Sequence, residues 1–68
     1  MGYNMEKRNL IPSDYVWLNG KVMPNELRET YNRLQKRINK FIDCGLPVPE
    51  HLLLGSHNIV SSFMESKA

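Results

Sequence analysis

Apolar positions along the chain fall into stretches of different spacing, punctuated by glycine and proline. Leu27, Tyr31, Leu34, Ile38 and Phe41 recur at intervals of four, three, four and three residues, and Ile42 widens the stripe at its end. That spacing places them on one face of an α-helix. It predicts a long amphipathic helix over 25–44. Asn25 is the expected N-cap, and Glu26 and Glu29 suit the positive end of the helix dipole. Glu29 also stands four residues before Arg33, the favourable order for a surface ion pair. Gly45 can close the helix at C′, and Pro47 forbids its continuation.

Upstream, Tyr15–Leu18 and Lys21–Met23 are β-prone runs on either side of Asn19-Gly20. This dipeptide suits a type I′ turn, whose two central residues both need positive φ. A β-hairpin over 15–23, ended by Pro24, is the expectation. The rival is a short helix capped by Ser13 or Asp14 and closed by Gly20. Residues 1–13 have no period and read as a flexible arm, with Leu10 and Ile11 as its anchors.

Downstream of Pro47-Val48-Pro49, a short helix is expected over 49–54, with Gly55 breaking it. Ser56 or Asn58 would cap a last helix over 57–66, with Ile59, Val60, Phe63 and Met64 on one face. The fold class expected is therefore mostly α, a small α+β protein. An N-terminal β-hairpin would pack on one long amphipathic helix followed by a short C-terminal helical pair. Residues 14–68 would form a single small domain.

Length limits what such a fold can do. Sixty-eight residues leave no room for a second domain or for a layered catalytic scaffold. Cys44 is the single cysteine, so no internal disulfide can form. Near a helix end it reads as a small buried hydrophobe. Cys44, His51 and His57 match no zinc spacing, and no metal site or cofactor is implied. Ser56-His57 are adjacent in sequence, which does not set a base against a nucleophile. Phosphate-binding, dinucleotide and hydrolase motifs are absent. These points favour a non-enzymatic protein. No apolar run is long enough for a membrane span, and Lys7-Arg8 is not followed by a signal-peptide core. A cytoplasmic setting follows by default.

The net charge of +2 hides an uneven distribution. Residues 30–42 contain Arg33, Lys36, Arg37 and Lys40 and no acid. Asn32, Gln35 and Asn39 are interleaved with them. Two binding functions compete for this flank. The leading expectation is a protein–protein interaction module, a regulator or inhibitor docking through the long-helix face onto a partner with an acidic surface. Its candidate contacts are Trp17, Arg33, Lys36, Arg37, Lys40 and Leu53. The alternative is a small nucleic-acid-binding protein using the Asn32–Lys40 flank. There Arg and Lys would read guanine or phosphate, and Asn32, Gln35 and Asn39 would read adenine. A homodimer is a further candidate, since one helix spanning so small a domain leaves surface uncovered.

Overall fold

The computed structural model describes residues 6–65. Two helices make up the fold, α1 over Asn25–Asp43 and α2 over Glu50–Glu65, and they pack on each other. The chain before α1 crosses its surface twice, first as an extended arm and then as a tight turn.

The long helix forms where its stripe predicts it. Ile38 sits at the centre of the stripe and is 0% exposed. Asn25 does not cap the helix. Pro24 occupies the N-cap position with φ −58 and ψ 150, and its carbonyl accepts from the Arg28 N–H at 2.8 Å. The Asn25 side chain instead accepts from the Arg28 guanidinium, also at 2.8 Å. At the far end Gly45 adopts φ +71. The Leu46 N–H reaches the Phe41 carbonyl and the Gly45 N–H reaches that of Ile42, both at 3.0 Å. This pair of bonds is a Schellman closure, which needs the left-handed residue that glycine supplies. Cys44, just before it, is exposed rather than buried.

The β-hairpin is absent. Among the described residues there is no strand, only one isolated antiparallel bridge between Val16 and Val22. The reason lies in the turn. Gly20 has φ +80, but among the described residues no non-glycine residue has positive φ, so Asn19 does not join it in a type I′ turn. The Gly20 N–H bonds the Trp17 carbonyl at 2.8 Å, and the Trp17 N–H bonds the Lys21 carbonyl at 3.0 Å. The loop is thus three residues long, with Gly20 as its left-handed third member. Asn19 serves another purpose: its Oδ1 accepts from the Lys21 N–H, and its Nδ2 reaches the Phe63 carbonyl of α2. Pro24 then starts the approach to α1 two residues after the bridge, leaving no length for a ladder. Trp17 and Met23 turn inward, Met23 to 2% exposure, while Val16, Leu18 and Val22 face out.

The C-terminal helical pair is also absent, replaced by one continuous helix through Gly55. Gly55 meets α1 there. A Cβ at this position would stand 3.3 Å from Leu34 Cδ1. The missing side chain lets α2 approach, and burial of Leu52, Ser56 and Phe63 outweighs a helix penalty of about 1 kcal/mol for glycine. Ser56 is buried inside the helix and caps nothing; its hydroxyl donates back to the Leu53 carbonyl at 3.0 Å. Of the three consecutive leucines, Leu52 is buried, Leu53 half-buried and Leu54 51% exposed.

Candidate functional site

Successive residues turn about 100° around a helix, and on that wheel α1 divides into three sectors. The apolar sector of Leu27, Tyr31, Leu34, Ile38, Phe41 and Ile42 is covered by α2 and by the turn region. Trp17 bridges these covers, edge-on to Tyr31 at 6.4 Å and to Phe63 at 5.6 Å, with Tyr15 edge-on to it at 5.2 Å.

The second sector carries carboxamides, and the arm lies along it. Arg8 donates its N–H to Asn39 Oδ1 at 2.6 Å, and its carbonyl accepts from Asn39 Nδ2 at 2.8 Å. Ile11 makes the same pair of bonds with Asn32, at 2.8 and 3.1 Å. Between them Gln35 Nε2 donates to the Asn9 carbonyl at 3.4 Å. Lys7 extends the series with an ion pair to Asp43 at 2.6 Å. A carboxamide offers a carbonyl and an N–H side by side, so it satisfies one extended residue as a neighbouring strand would. The registers agree: seven helical residues rise about 10.5 Å, and three extended residues span about 10 Å. The arm therefore runs antiparallel to α1 with one rung at each end of that length. Ile11 is buried beneath it, while Leu10 stays 43% exposed.

Asn32, Gln35 and Asn39, the residues expected to read bases, thus face the arm in this structure. Both amide atoms of Asn32 and Asn39 are engaged by the chain's own backbone, whereas Gln35, 2% exposed, uses only its Nε2 and leaves its buried Oε1 without a partner. The heptad spacing of Asn32 and Asn39 beside the apolar stripe gives them a shared flank, but Arg28 falls on it too, so the sequence does not mark it as covered.

The third sector is exposed and charged. Arg33, Lys36, Arg37 and Lys40 all lie on it, as do Glu26 and Glu29 towards the N-terminal end. Among the described residues none of the four cations makes an ion pair, including the one expected from Glu29 to Arg33. The structure brings these four together within about two turns. It does not bring Trp17 or Leu53 to them: Trp17 lies in the aromatic cluster, and Leu53 belongs to α2.

Leu53 lines a different feature, an open groove of about 420 Å³ between the arm and the two helices, with Arg8, Tyr31, Leu54, His57 and Val60. Burial pushes the Tyr31 phenol above its ordinary value of 10.0, against the opposing pull of the Arg8 charge. Among the described residues no three of the His, Cys, Asp and Glu side chains are grouped to hold a metal ion, and no helix is long and apolar enough to cross a membrane. Compared with protein-family models, curated proteins and solved structures, the chain matches none of them.

Proposed function

We propose that this chain is a small non-enzymatic interaction module, a regulator or inhibitor that docks onto an acidic surface of a partner protein through the charged sector of α1. One observation carries the reading. Arg33, Lys36, Arg37 and Lys40 are exposed together, while the other two sectors of the same helix are occupied by α2, the turn and the arm. Four exposed cations that make no ion pair among the described residues form a surface whose complement is negative. A second copy is a poor occupant, because two such faces would repel. A cytoplasmic setting suits this role, since the exposed Cys44 thiol has no second cysteine in the chain to pair with.

The test is affinity capture from a native lysate at physiological salt, comparing the wild type with the double variant Arg33→Glu, Arg37→Glu. An acidic protein should be recovered by the wild type and lost with the variant. Identical recovery by both baits would end this reading.

The nucleic-acid alternative survives in reduced form. The same cations could follow a phosphate backbone, with no base reading by the carboxamides. Four contacts predict a slope of log affinity against log salt near −3.6 on duplex DNA, at about −0.9 per contact. Binding that is flat with salt, or unaltered by the double variant, removes it.

A further inference from the structure

The groove beneath the arm lies on the apolar side of α1, away from the cationic sector. Its walls are the Tyr31 ring, Leu53, Leu54 and Val60. Its polar lining residues are Arg8, Tyr31, His57 and Ser56, whose hydroxyl is engaged by the Leu53 carbonyl, and among the described residues no carboxylate lines it. Arg8 is held from a fixed point, because both its backbone groups are bonded to Asn39. Arg8 and Tyr31 both line the groove, which sets a cation beside its apolar walls.

We propose that this groove binds an acidic peptide segment of a partner protein, seating one large apolar side chain between Leu53, Leu54 and Val60 and its neighbouring carboxylate against Arg8. Charge complementarity selects the anion, since among the described residues every titratable group lining the groove is Arg, Tyr or His. Shape selects a peptide. About 420 Å³ is near the lower end for small-molecule sites, which enclose most of their ligand. This groove is open along one side, with Leu54 on the rim at 51% exposure. A peptide covers such an opening with its own backbone, whereas a small carboxylate leaves it wet. The proposal does not rest on the cationic sector, and the two can fail separately.

The test is an amide NMR titration of the full chain with a blocked tetrapeptide, Glu-Phe-Leu-Glu, and with its Gln-for-Glu counterpart. Shifts are expected at Tyr31, Leu53, Leu54, His57 and Val60. Binding should weaken at least about tenfold for the glutamine peptide and for Arg8→Gln, which keeps the backbone bonds to Asn39. The Arg33→Glu, Arg37→Glu protein should bind the acidic peptide at the groove as the wild type does. No shifts at millimolar peptide, equal binding of the glutamine peptide, or shifts centred on Arg33 and Arg37 would each overturn the proposal. So would tighter binding of octanoate at the same residues, which would assign the groove to a small carboxylate. Groove shifts on concentrating the protein alone would assign it to a second copy, and the proposal would fall.

Discussion

Asn32 and Asn39 make the same pair of bonds in different surroundings, and the surroundings set their worth. Asn32 serves Ile11, which is buried. Asn32→Ala strands a donor and an acceptor away from water and should cost about 1–3 kcal/mol. Asn39 serves Arg8, which is only half-buried, so water can replace the lost bonds. Asn39→Ala should cost about 1 kcal/mol or less. Denaturant unfolding of the two variants checks the order, and the reverse order would contradict the rung geometry. Tyr31 gives a prediction in pH. Its phenol is raised by burial, so its stabilising contribution is complete below the unfolded value near 10. It is lost as pH rises from there through the higher folded value. Arg8→Gln removes the opposing charge and should raise the Tyr31 titration further, read from the tyrosine ring resonances. An unchanged titration would mean that Arg8 does not act on the hydroxyl.

The long helix was legible because its stripe, its acidic first turn and its Gly45–Pro47 stop all agree; the cap residue, the Glu29–Arg33 pair and the burial of Cys44 were misplaced. The elements on either side were misread for one reason: glycine was judged by what it does to its own segment. Gly20 does take a left-handed φ, but Asn19 beside it does not, and one residue's φ turns a two-residue hairpin loop into a three-residue loop. Gly55 looks like a breaker in sequence, yet its lack of a side chain answers to Leu34, 21 positions earlier. The carboxamide sector was hidden for the same reason, since its partners lie 21–31 residues away. Gly55→Leu should force the helices apart and destabilise by about 1–3 kcal/mol. Gly55→Ala should stay within about 1 kcal/mol of wild type, because its helix preference offsets the small shift asked of Leu34. Thermal unfolding separates these outcomes, and a stabilised leucine variant would show that Gly55 is not a contact point.

The described chain measures 44 × 20 × 19 Å, with a radius of gyration of 13.1 Å. A spherical domain of this length would have a radius near 11 Å. The 19 residues of α1 extend about 28 Å, longer than either short dimension of the body. A slender body has a thin core, here Ile11, Met23, Ile38, Leu52 and Phe63. Ile38→Ala removes its centre and should cost about 2–5 kcal/mol, a large share of what so small a domain holds. Loss of cooperative unfolding in this variant is the expected readout, and an undisturbed transition would argue against Ile38 as the keystone. The cationic sector is peripheral to that core, so the charge reversals proposed above should leave the helical circular dichroism unchanged.

The rungs between arm and helix also bear on the order in which the molecule assembles. Their docking surface exists only once α1 has wound, because Asn32, Gln35 and Asn39 share a flank only in helical form. The loops they close are long, and closure entropy must be met before any rung forms. The arm should therefore settle after the helices have met, late in folding. Asn32→Ala should speed unfolding far more than it slows refolding, as expected for contacts made beyond the transition state. Stopped-flow measurements on that variant would read the order directly, and a slowed refolding limb would place the arm in the nucleus instead.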